Sequence, residues 1–128
     1  MAPLRILLTD DNDEILVEIR ELLDEIIGTV RNGEDAVEAV RRFDPDVVVL
    51  DIAMPILDGI QAASRVRDSQ ARTKILFLTI QENPEYVSAA FAAGASGYVT
   101  KLSLLSDLTH AIREVIEGRT FLSSSLRR

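Results

Sequence analysis

The chain has 128 residues, 47% of them hydrophobic and 27% charged, with a formal net charge of −7. That length suits one domain able to bury a core; no apolar run approaches the ~18 residues of a membrane span, and the opening MAPLRILL is too short and too soon charged for a secretory leader. The absence of cysteine excludes disulfides, thiol catalysis and thiolate metal sites, as suits a cytoplasmic setting, and so acidic a surface argues against a direct grip on nucleic acid.

In chain order, LRILLT (4–9) reads as a first strand, followed by a helical pattern in which Ile15, Ile19, Leu22, Leu23 and Ile26 share one face. A weaker strand, IIGTV (26–30), precedes the Asn32-Gly33 break and a helix with Ala36, Val37, Val40 and Phe43 on one face. After Asp44-Pro45 comes VVVL (47–50), then the Asp58-Gly59 break and a helical stretch from Asp58 to Asp68 carrying Ile60, Ala63 and Val66. KILFLT (74–79) leads through Asn83-Pro84 into a helix marked by Val87, Ala90 and Phe91. Gly94 breaks that helix before GYVT (97–100), and a last helix sets Leu105, Leu108, Ile112, Val115 and Ile116 together. The strand runs are almost unbroken apolar stretches, as strands covered on both faces require. The order βαβαβαβαβα therefore predicts an α/β fold: a parallel sheet with helices on both faces and right-handed crossovers.

In such a sheet ligands bind beyond the carboxyl ends of the strands. The first strand ends in Asp10-Asp11, the third in Asp51, the fourth in Thr79 and the fifth in Lys101. Three carboxylates gathered there repel one another unless a cation sits among them. The donors are oxygens alone, since His110 on the last helix is the one histidine. That favours a hard ion, and Mg²⁺ fits because it needs few protein oxygens and keeps its waters. Lys101 offers a point charge and Thr79 a hydroxyl donor, both suited to phosphoryl oxygens. An aspartate in such a pocket can itself be the nucleophile, giving an aspartyl phosphate.

The stretches LLTDDND, VVVLDIAMPILDG, ILFLT and AGASGYVTK, in this order, resemble the receiver domain of bacterial two-component response regulators. The similarity runs from about residue 4 to 117 and is strongest to the LuxR/NarL-type subfamily. It implies a flavodoxin-like (βα)5 fold with five parallel strands in the order 2-1-3-4-5, spanning residues 1–118. It also implies that Asp51 is the phosphoacceptor, that Asp10, Asp11, Asp51 and the backbone carbonyl of Ala53 hold Mg²⁺ (or Mn²⁺), and that Thr79 and Lys101 bind the phosphoryl oxygens. Tyr98 would be an aromatic switch turning inward with Thr79; Met54, Pro55, Asp58 and Gly59 would shape the loop after Asp51; Ala53 and Gln81 would tune phosphoryl lifetime. The implied partners are a sensor histidine kinase, a second copy on phosphorylation, and DNA through a separate helix-turn-helix domain, with no membrane. On this reading the chain is no enzyme but a phosphoacceptor that assists its own phosphorylation and dephosphorylation. Residues 119–128, RTFLSSSLRR, resemble the start of a linker to that output domain.

Departures from the family pattern are Leu102 after Lys101, the bulky Ile80 after Thr79, which would narrow access to Asp51, and a shortened stretch before Gly33 that would shorten or displace the second strand. His110 reads as an ordinary surface histidine and GEDAVEAVRR as a solvated helix face. Two other functions are weighed. A phosphohydrolase of the haloacid-dehalogenase kind needs Asp-x-Asp-x-Thr after the first strand, which TDDNDE does not supply. A receiver-like interaction module without phosphate would not need all five strand-end polar residues.

Overall fold

The structure is a computed structural model that describes residues 3–69 and 72–126. Residues 1, 2, 127 and 128, at the outer ends of the two expected spans, lie outside the described residues. Strands β1 (Ile6–Thr9), β2 (Ile26–Val30), β3 (Val47–Leu50), β4 (Lys74–Thr79), β5 (Gly97–Thr100) and β6 (Phe121–Leu122) form one sheet in the order β2-β1-β3-β4-β5-β6. Each neighbouring pair in that order is parallel. Between them run α1 (Asp13–Leu22), α2 (Gly33–Phe43), α3 (Gly59–Ser69), α4 (Pro84–Ala92) and α5 (Leu104–Ile116).

The pleat explains the apolar runs. Successive side chains of a strand face opposite sides, so Leu7, Val48, Leu50, Phe77 and Tyr98 enter one core with α2, α3 and α4, which supply Val40, Val66 and Ala90. Ile6, Leu8, Val47, Val49, Leu76 and Leu78 enter the other with α1 and α5, which supply Ile19, Leu108 and Val115. At roughly 25 cal/mol per Å² of apolar surface buried, these two layers are the main force holding the sheet between its helices.

Helix starts follow capping chemistry: Asn12, Asn32 and Asn83 each accept a hydrogen bond from a first-turn amide through the side chain. Among the described residues no helix is long and apolar enough to cross a membrane.

The expected order 2-1-3-4-5 is present, but the sheet has a sixth strand. The stretch expected to open a linker supplies β6, with Phe121 and Ser123 buried. An open edge of β5 offers backbone partners that even a two-residue strand can take. Ile26, placed by spacing on the α1 face, begins β2, because α1 ends at Leu22 and Leu23 is extended. The register then slips between Ile6 and Leu7, which pair with Ile26 and Gly28, so β2 keeps five residues around an irregularity. Leu105 and Phe43, expected on buried helix faces, are 70% and 48% exposed. Leu104 takes the inward place on α5, one residue and about 100° away from Leu105.

Candidate functional site

The order β2-β1-β3 places a crevice beyond the carboxyl ends of β1 and β3, where adjacent connections leave in opposite directions. Asp10 follows β1 and Asp51 follows β3; both are buried, whereas Asp11 is exposed. Ligand oxygens of Asp10, Asp11 and Asp51 all lie within 4.8 Å of one another. Lys101, which opens a 3₁₀ turn after β5, sets its Nζ 2.9 Å from Asp10 Oδ2 and 2.9 Å from Asp51 Oδ2. One ammonium thus bridges two buried carboxylates.

Backbone groups hold both acids in place. The Asn12 amide donates to Asp10 Oδ1 at 2.9 Å and the Ile52 amide to Asp51 Oδ1 at 2.7 Å. The Gly59 amide donates to the Ile52 carbonyl, and a Cβ at residue 59 would lie 1.9 Å from the Asp51 carbonyl oxygen. Only glycine lets α3 start so close behind Asp51. Asp58 accepts from the Gln61 amide at the start of that helix. In the same loop Ala53 is exposed, Met54 packs against the core, and the Pro55 carbonyl accepts from Leu57.

Farther along the sheet, Thr79 is fully buried at the end of β4, and its Oγ1 accepts from the Gln81 amide at 3.3 Å. Tyr98 is fully buried on β5 and donates its hydroxyl to the Gln81 carbonyl at 2.6 Å. The two expected switch residues therefore meet on one residue of the β4–α4 loop. Ile80, between them in that loop, is 68% exposed.

The charges shift accordingly. Burial pushes the Asp10 carboxyl above its usual range, against the lowering effect of its hydrogen bond to Lys101. Burial alone would lower the Lys101 ammonium, but hydrogen bonds to Asp10 and Asp51 outweigh it and leave the group more basic than usual. Burial, then the Asp51 charge, raises the Tyr98 hydroxyl, so it stays a donor.

The donor set fits a hard divalent ion: three carboxylates converge, one of them exposed so that metal-bound water has room. His110 lies elsewhere, on the exposed side of α5, hydrogen-bonded to Glu114.

Three contributors were not read from the sequence. Asn12 both caps α1 and steers Asp10; the Asx spacing in DDNDE carried that signal. Gly33 packs its α-carbon against the Leu57 carbonyl, where a Cβ would sit 2.0 Å away, tying α2 to the loop after Asp51. Ser123 accepts from the Thr100 amide, directly before Lys101; no local signal marks it.

Comparison with known proteins agrees with this geometry. The family model described as response regulator receiver domain matches residues 6–113. Response regulator GacA of Pseudomonas aeruginosa is 31% identical over 128 residues, covering 96% of this chain and 60% of that protein. Chemotaxis protein CheY of Halobacterium salinarum is 37% identical over 115 residues, 88% of this chain and 96% of that one. The crystal structure of a LuxR family two-component response regulator from Aurantimonas sp. superposes with a TM-score of 0.92 at 31% identity, covering 98% of this chain and 93% of that chain. The chain spans about 58 to 64% of the length of the first curated relatives it matches. With a family model covering most of its length, the chain belongs to the response regulator receiver domain family.

Proposed function

We propose that this receiver accepts a phosphoryl group on Asp51 from a sensor histidine kinase in a Mg²⁺-dependent reaction and relays the event to an output domain. The observation that carries this reading is the Lys101 bridge between Asp10 and Asp51 with Asp11 beside it: an acidic oxygen pocket with one ammonium at the ends of parallel strands. A carboxylate oxygen of Asp51 attacks phosphorus as the P–N bond of the donor phosphohistidine breaks, and the histidine nitrogen leaves with the electron pair. Lys101 exchanges a carboxylate partner for a phosphoryl oxygen. Thr79 turns its hydroxyl from the Gln81 amide to another, and Tyr98 follows through Gln81. Asp10, Asp11, Asp51 and the Ala53 carbonyl would hold Mg²⁺, or Mn²⁺ in its place, which would supply Lewis-acid charge to the transferring group. Ala53 and Gln81 set how fast water removes it. The chain acts on its own aspartate and turns over no diffusible substrate.

The output reading is supported by relatives that include a GacA response regulator and proteins named as transcriptional regulatory, each longer than this chain. On it, this is the receiver of a cytoplasmic transcription regulator whose phosphorylated form pairs with a second copy. DNA would be held by a helix-turn-helix domain rather than by a chain carrying −7.

Intact mass after incubation with Mg²⁺ and acetyl phosphate tests the chemistry. One phosphoryl adduct on the wild type, absent in Asp51→Asn and with EDTA, is the expected result. An adduct that persists in Asp51→Asn, or none on a folded wild type that also fails to bind Mg²⁺, overturns it.

A further inference from the structure

The segment after α5 has a specific relation to the site. Gly118, in the left-handed region with φ of 84°, turns the chain back as its amide donates to the Val115 carbonyl. Residues 121–123 of the segment FLSSSL then run along the edge of β5, and Ser124–Leu126 close it in a 3₁₀ turn. The Phe121 amide donates to the Ser96 carbonyl and the Ser123 amide to the Tyr98 carbonyl, each at 3.0 Å. The Thr100 amide donates to Ser123 Oγ at 3.1 Å. Ser123 is fully buried. Its hydroxyl is therefore fastened to the peptide just before Lys101.

The far end of the segment reaches the other switch loop. Leu122 is the register partner of Tyr98, and Leu122 and Leu126 pack against the cluster that contains Tyr98, Phe77 and Ala90. Ser125 and Leu126 border a cavity of about 450 Å³ shared with Glu82 and Pro84, in the loop and helix start that follow Gln81. Six residues thus hold the Thr100 amide and share a cavity with the loop that carries Gln81, whose carbonyl holds the Tyr98 hydroxyl. So short an edge, with three consecutive serines, opens far more cheaply than the central strands.

We propose that residues 121–126 are a detachable strap whose docking and the inward position of Tyr98 favour one another, so that a phosphoryl group at Asp51 tightens the strap and loosening the strap weakens phosphoryl binding. When Tyr98 leaves its place, Leu122 and Leu126 lose apolar cover. Coupling of this kind is reciprocal by linkage. The second half of the proposal rests on the phosphoacceptor reading; the first half does not.

Hydrogen exchange on the full chain tests it, followed by mass spectrometry of peptides covering the strap and the central strands. Tyr98→Leu, with no ligand present, should speed exchange of the Ser123 and Leu126 amides by on the order of fivefold or more while β1 and β3 keep their protection. Mg²⁺ with beryllium trifluoride, a phosphoryl mimic, should slow the same amides in the wild type by a similar factor. Leu126→Asp should weaken beryllium trifluoride binding equally, and Leu126→Met should restore it. Strap exchange unchanged in a folded Tyr98→Leu protein overturns the coupling, as does wild-type affinity in Leu126→Asp. If the wild type binds no beryllium trifluoride yet Tyr98→Leu still loosens the strap, the phosphoacceptor reading fails and the strap stands.

Discussion

Replacing Lys101 by methionine keeps the aliphatic stem and removes the ammonium that bridges Asp10 and Asp51. Its side chain is 12% exposed and those of the two acids 2% and 7%, so solvent does little of the screening. Two unit charges at the 4.8 Å bound on the cluster repel by about 3.5 kcal/mol at an effective dielectric near 20. Breaking a buried pair by removing one partner costs about 3–5 kcal/mol in general, so the two estimates agree. We expect metal-free Lys101→Met to lose about 3 kcal/mol of stability at neutral pH in urea unfolding followed by circular dichroism. The loss should shrink as pH falls, because Lys101 holds the Asp10 pKa down and its removal lets that acid take a proton earlier. Mg²⁺ at about 100 times its dissociation constant adds about 2.7 kcal/mol to any folded state it binds. It should stabilise the variant more than the wild type at a given concentration, since no ammonium competes for the carboxylates. A metal-free cost below ~1 kcal/mol, or equal stabilisation of both proteins by Mg²⁺, would show that the bridge is not what holds the acids together.

Gly59→Ala should destabilise by roughly 2 kcal/mol or more and weaken Mg²⁺ binding, since its Cβ meets the Asp51 carbonyl and neither backbone can yield. Gly28→Ala is the control: its nearest contact would be Leu7 Cδ1 at 3.8 Å, and calorimetry should find a change within about 1 kcal/mol. Mg²⁺ affinity, measured by titration calorimetry, should begin to fall at a pH above 3.8, the ordinary value for Asp10, because burial lets a proton compete with the metal sooner. Stability moves the other way: a carboxyl whose folded pKa is raised favours the fold below 3.8, and that contribution is lost as pH rises through the raised value. An affinity that stays flat until below 3.8 would contradict the burial of Asp10.

What could be read ahead of the structure follows from how local each signal is. VVVL and KILFLT declared themselves because strands covered on both faces need apolar residues at every position. Asp10, Asp11, Asp51, Thr79 and Lys101 could be named as neighbours because parallel topology alone gathers strand ends. Which of Leu104 and Leu105 turned inward was not legible, since both satisfy an apolar pattern and the docking angle of α5 decides. Nor was β6: Phe121 and Leu122 among serines carry no strand signal, and only the unpaired edge of β5 makes them one. The Gly33 contact with Leu57 depends on how two loops meet, which spacing does not encode.

The charge count of the pocket also sets an order of events. Three carboxylates against one ammonium leave a formal charge of −2 at the place where, on the proposed function, a phosphoryl group would arrive. In the metal-free site Lys101 is already committed to two acids, and no other Lys, Arg or His contacts Asp10 or Asp51 among the ion pairs of the described residues. A phosphodonor therefore meets net repulsion, while a divalent cation meets attraction. With a divalent cation held there the formal charge would be zero, and Lys101 would be free to turn toward phosphoryl oxygens, the repulsion between Asp10 and Asp51 being offset. On the proposed function, this charge count would favour binding of the cation before the phosphoryl group.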